Sequence, residues 1–143
     1  MQFQCAVLQQ ALLMPQDAEL DWLLALGDST ITYRSRYMAR PEWLPVLDLM
    51  VRDDSNPRSI VFQAKGLSDQ LARLGGTLCP CGEELLAPAM TALAELDPDA
   101  DLQPGSERLD SVLGGLQAGS SALSEQLSLR FFSHSLLRRT IAT

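Results

Sequence analysis

Arginine placement is the feature of this sequence that points most directly to chemistry. The segment ITYRSRYMAR sets Tyr33 four residues before Tyr37 and Arg36 four before Arg40, so on a helix each pair shares a face. Arg34 projects from a different side. A second segment, VRDDSNPRSIVFQ, offers Asp53, Asp54, Ser55 and Asn56 as helix starters and Pro57 for the first helical position. Arg58 then falls in the first turn, where the helix dipole disfavours a cation. A guanidinium is planar, permanently charged and shaped to meet a carboxylate. With Arg58 turned toward the first segment, the N–H groups after Asn56 and two or three guanidinium groups converge on a place for an anion or carboxylate. Tyr33, Arg34, Arg36, Tyr37, Asn56, Arg58 and Ser59 are the candidate contacts. The alternative pairs Arg58 with Asp53 or Asp54, and Arg34 or Arg36 with Asp21 or Asp28, as structural ion pairs. The sequence favours this alternative: the carboxylate that Arg58 meets is expected to be the protein's own.

Other motifs carry less. DPDADLQPGSER places Asp97, Asp99 and Asp101 at the first, third and fifth positions of a calcium loop, but Leu102 and Arg108 stand where glycine and glutamate belong. It reads as a solvated linker. GGLQAGSS has the glycine interval of a phosphate loop without its lysine or a preceding strand. Cys79 and Cys81, in CPC, are too tightly spaced for a zinc pair and read as reduced loop thiols. His134 is the only histidine and has no Gly-x-Ser-x-Gly nucleophile elbow to serve, so it reads as a helix-end cap. No catalytic residue, metal site or cofactor is assigned.

The elements that must position the arginines are helices. Leucine and alanine dominate, and Val, Ile and Thr never alternate over a strand-length window. Ile60, Ala64, Leu67, Leu71 and Leu74 make one apolar stripe, predicting a helix over residues 57–74 that Gly75 and Gly76 stop. Pro41 opens a helix before it, buried through Trp43, Leu44, Leu47, Met50 and Val51. Upstream lie two short helices parted near Gly27 and Asp28, with Ser29 as N-cap of the second, and an N-terminal helix that Pro15 ends. Downstream, a helix around Leu85 to Leu96 holds Pro88, which predicts a kink or a division. The last helix spans residues 106–132 on a stripe of Leu109, Leu113, Leu116, Leu123, Leu127 and Phe131. Its small-residue face (Ser111, Gly115, Ala118, Gly119, Ala122) admits a close neighbour. The expected fold is a single all-α domain over residues 1–143, a bundle of six or seven helices without significant sheet.

Composition bounds the rest. The chain has 143 residues, 46% apolar and 20% charged, enough for a hydrophobic core. Its net charge of −7 argues against nucleic acid or an anionic membrane as main partner, since phosphates call for clustered cations. No basic n-region precedes the apolar N-terminus, and no apolar run nears the ~20 residues needed to span a bilayer. Three cysteines make no disulfide framework, so the expected compartment is the cytoplasm.

Taken in order, WLLALGDSTITYRSRY, a short apolar helix, DDSNPRSIVFQ, a leucine-rich helix and LSLRFFSH resemble the C-terminal half of the bacterial alpha-E domain over residues 22–134. Its Y-R-x-R-Y and D-x-N-P-R-S elements fall on Tyr33, Arg34, Arg36, Tyr37, Asp54, Asn56, Pro57, Arg58 and Ser59. That family is all-helical, without an established activity, and is commonly fused to or encoded beside circularly permuted ATP-grasp proteins. The resemblance implies a non-catalytic module of a peptide-forming or peptide-modifying system, binding an ATP-grasp ligase or its peptide substrate. Ligase activity would belong to the ATP-grasp partner. Two departures matter: family domains are about twice this length, and no ATP-grasp segment is present. The alternatives are an acyl- or amide-transferring enzyme, which this sequence supports thinly, and an oligomerisation element. An exposed apolar surface left by missing partner helices predicts at least a dimer.

Overall fold

Leucines spaced at threes and fours wind the chain into helices, and no strand occurs among the described residues. The structure is a computed structural model and describes residues 1–13, 18–78 and 83–141, with side chains from 1–13, 20–74 and 84–129. The helices are α1 (Gln2–Leu13), α2 (Ala18–Leu26), α3 (Thr30–Tyr37), α4 (Trp43–Leu47), α5 (Ile60–Leu78), α6 (Glu83–Ala94), α7 (Pro98–Asp101) and α8 (Glu107–Ile141). A π-helical turn, Asp48–Arg52, continues α4. The fold is all-α. Among the described residues there are eight helices rather than six or seven, the addition being the single turn α7.

Leu8, Leu20, Leu23, Leu47, Leu49, Ile60, Leu109, Leu113 and Leu116 are fully buried and form one core from α1, α2, the α4–π segment, α5 and α8. Each contributes about 1.5–3 kcal/mol over its exposed state. α8 is the spine, 35 residues long. α6 crosses its small-residue face: a Cβ on Gly119 would lie 2.7 Å from the Leu85 carbonyl oxygen, and one on Gly115 would lie 3.4 Å from Ala89 Cβ. That closeness is what the missing side chains permit, as the glycine pattern predicts.

Helix ends depart from expectation more than helix bodies do. α5 starts at Ile60, because Ser59 rather than the Asn-Pro step caps it. The Ser59 hydroxyl accepts from the Phe62 N–H at 3.1 Å and its carbonyl accepts from the Gln63 N–H at 3.2 Å. α5 also runs through Gly75 and Gly76 to Leu78. Glycine ends a helix by turning left-handed, and among the described glycines only Gly105 has a positive φ, 74°. Pro88 lies inside α6 without dividing it. Ser29 precedes α3 but makes no side-chain cap; its hydroxyl donates to the Gly27 carbonyl at 3.0 Å. In the α4–π segment Leu44 is exposed, and Val46, Leu47, Leu49, Met50 and Val51 form the buried side.

The acidic linker folds on itself. Asp97 accepts from the Asp99 N–H at 3.0 Å, and Asp101 accepts from the Asp97 N–H at 2.8 Å, so α7 is capped reciprocally. Arg108 pairs with Asp101 at 3.6 Å and donates to the Glu95 carbonyl at 3.3 Å, while Leu102 enters the core. This stretch is thus a folded turn, not a wholly solvated linker. Cys79, Cys81, Pro15 and the side chains of Phe131 and His134 lie outside the described residues.

Candidate functional site

The π turn sets the arginines' surroundings. In an α-helix the Asp53 N–H would bond the Leu49 carbonyl; here it reaches one residue further back, to the Asp48 carbonyl, at 3.0 Å. The Leu49 carbonyl instead accepts from Asn56 Nδ2 at 3.1 Å. Asn56 is almost fully buried. Its Nδ2 also donates to Ser29 Oγ at 3.4 Å, and its Oδ1 accepts from the Arg58 N–H at 3.2 Å. One amide side chain therefore joins the π turn, the segment entering α3 and the loop 53–59.

That loop runs antiparallel to α3. At its start Asp53 Oδ1 accepts from the Ser55 N–H at 2.9 Å and the Ser55 hydroxyl at 2.6 Å, an Asx turn. Arg36, in the last turn of α3, pairs with Asp53 and donates to Ser55 Oγ at 3.1 Å. At the loop's end Arg58 pairs with Asp28, ahead of α3, at 2.8 Å, and the Arg58 carbonyl accepts from Gln4 Nε2 at 2.9 Å. The ion pairs are with the protein's own carboxylates, but the partners are exchanged. Arg58 takes Asp28 rather than Asp53 or Asp54, Arg36 takes Asp53 rather than Asp21 or Asp28, and Asp54 pairs with Lys65 at 3.8 Å. The direction of the loop dictates this. Early loop residues meet the end of α3, and late ones meet its beginning.

Arg36 and Arg58 therefore do not converge. They sit at opposite ends of α3, roughly 12 Å apart along the axis at 1.5 Å per residue. The N–H groups after Asn56 are also engaged: that of Arg58 by Asn56 Oδ1, and that of Ser59 by the Asn56 carbonyl at 2.9 Å. Tyr33 is buried. Its hydroxyl donates to the Arg40 carbonyl at 3.2 Å and accepts from the Glu42 N–H at 3.3 Å, pinning the α3–α4 connection. The Tyr33 and Tyr37 rings lie 4.8 Å apart, tilted by 35°. Burial first, and the Asp48 carboxylate second, push the Tyr37 phenol above its usual range; Arg36 opposes them.

Arg34 stands apart. It is exposed on α3, and neither its guanidinium nor that of Arg40 has an ion-pair or hydrogen-bond partner among the described residues. Both line a cleft of about 340 Å³ together with Asp21, Leu24, Tyr33 and Met38. Met38, at φ 48°, ends α3 with its N–H on the Arg34 carbonyl at 3.2 Å and turns the chain so that Arg40 comes back to this cleft. Of the seven candidate residues, Arg34 and Tyr33 reach the cleft, while Arg36, Asn56, Arg58 and Ser59 build the lock behind it. Asp53, Ser55 and Ser29 were not singled out as partners; the Asp-x-Ser spacing of an Asx turn is the signal that marks the first two.

Among the described residues no three His, Cys, Asp or Glu side chains come together as metal ligands. No helix among them is long and apolar enough to cross a membrane. One family model matches residues 1–132; it is described as a predicted alpha-helical domain with a conserved ER motif. No curated protein and no solved structure matches the chain.

Proposed function

The chain belongs to the Alpha-E family, and on that premise we propose that it is a non-catalytic recognition module of a cytoplasmic, ATP-grasp-associated peptide-forming or peptide-modifying system. It corresponds in this reading to the C-terminal half of the family's domain, and it holds a carboxylate of the ligase or of the ligase's peptide substrate. The observation that carries the carboxylate is the pair of unpartnered guanidinium groups, Arg34 and Arg40, on one cleft of an acidic protein. A cation without a carboxylate of its own is the one available to a ligand's. The ATP-grasp association rests on the resemblance of the two arginine motifs. Mixing the chain with the ATP-grasp protein encoded beside it, followed by calorimetric titration, tests the proposal. Arg34→Ala with Arg40→Ala should weaken association about tenfold or more while the melting temperature stays put. Unchanged association in that double variant overturns it.

Self-association is a second reading, favoured by the exposure of Phe3, Trp22, Ile31 and Met38. Ile31 and Met38 are seven residues apart, two turns along one outer stripe of α3 and its cap. A monomer mass by light scattering at high protein concentration removes this reading.

A further inference from the structure

Asp21 gives the cleft a charge of the opposite sign. It lies on α2, whereas Arg34 lies on α3 and Arg40 on the chain beyond it, and all three line the same hollow. Asp21 nonetheless forms no ion pair within 4.0 Å with either arginine, nor with any other described residue. Elsewhere around α3 opposite charges close on each other, as Arg58 does with Asp28 and Arg36 with Asp53. Here they stay apart across a hollow floored by Leu24, Tyr33 and Met38. A simple anion satisfies the arginines but meets repulsion from Asp21, and a simple cation meets the reverse. A ligand bearing both charges on neighbouring atoms, with an apolar group to lay on the floor, satisfies every wall. The volume of about 340 Å³ is at the small end for a ligand pocket and suits one amino acid.

We propose that this cleft binds a free α-amino acid with an apolar side chain, its ammonium group toward Asp21 and its carboxylate toward Arg34 and Arg40. The inference rests on the preceding reading of Arg34 as a carboxylate contact and adds the requirement for an unblocked amine.

The test is a titration of the isotope-labelled full chain with leucine, N-acetylleucine and leucinamide, followed through backbone amide resonances. Leucine should shift amides of residues 20–24 and 30–41, and each blocked derivative should bind roughly five- to tenfold more weakly. Asp21→Asn should abolish the preference for leucine over N-acetylleucine without loss of fold, and Arg34→Ala should weaken both. N-acetylleucine binding as well as leucine, with leucinamide failing, overturns the amino-acid proposal and leaves the carboxylate reading standing. Leucinamide binding as well as leucine overturns both. No shift with any of the three at millimolar concentration overturns the amino-acid proposal, and the carboxylate reading is then decided by the association assay.

Discussion

Replacing Asn56 with alanine strips one side chain from three elements. The Leu49 carbonyl then loses its donor inside the core, because the Asp53 N–H is already committed to Asp48. A buried acceptor left without a partner costs about 1–3 kcal/mol. The Arg58 N–H is part-buried and finds water readily, and Ser29 keeps its bond to Gly27, so neither adds much. The small void left by a nearly buried amide brings the expected loss to about 2–3 kcal/mol. Urea unfolding followed by far-UV circular dichroism measures it: the midpoint should fall by about 1–2 M at an unchanged slope. Asn56→Asp is the decisive companion. It keeps an acceptor for Arg58 but offers no N–H to Leu49 or Ser29, so it should lose at least as much as the alanine variant. An alanine loss below about 0.5 kcal/mol, or an aspartate variant as stable as the parent, refutes the bridging role.

Glycine substitutions should divide by location. Gly119→Ala drives a methyl group against the Leu85 carbonyl and should cost about 1–3 kcal/mol by thermal unfolding, whereas Gly66→Ala has nothing within 4 Å and should gain up to about 1 kcal/mol. Arg58→Ala and Arg36→Ala remove ion pairs that are largely solvent-facing, and each should change stability by no more than about 1 kcal/mol, read from the same melts. Tyr33→Phe removes the hydroxyl that pins Arg40 and Glu42 and should cost about 1–2 kcal/mol, with faster amide exchange in residues 38–42. Burial raises the Cys5 thiol from 9.0 to about 11. Its neutral form is therefore favoured in the fold, so the stability it contributes is intact below pH 9 and declines as pH climbs to about 11, by about 2–3 kcal/mol in all. Cys5→Ala should flatten that decline in a pH series of urea melts, leaving the smaller contribution of Tyr37, which has the same sign above its ordinary value of 10.0.

Helix bodies were legible because leucine spacing alone buries one side of each, as Ile60, Ala64 and Leu71 show on α5. Helix ends were not, because capping is a contest among neighbours. Asn56 and Ser59 both qualify, and the pull of Leu49 and Ser29 on the asparagine leaves the cap to Ser59. That the arginines would meet internal carboxylates follows from composition, but which ones depends on the direction of a loop, which no local pattern records. The π turn left no mark either: DLMVR reads as ordinary helix. Nor does Arg34 look different from Arg36 in YRSRY, although one faces a cleft and the other is tied down.

The loosened winding at residues 48–52 also makes chain length matter more than side-chain identity at that point. Each residue advances a helix by about 100° of rotation. Excising a single amino acid there would restore a regular coil and swing everything after Arg52 by roughly that angle. The asparagine would point away from its acceptor, and both guanidinium tethers would miss their targets together. Tolerance to conservative exchange at Leu49 or Val51 should therefore coexist with intolerance to any shortening or lengthening of this stretch.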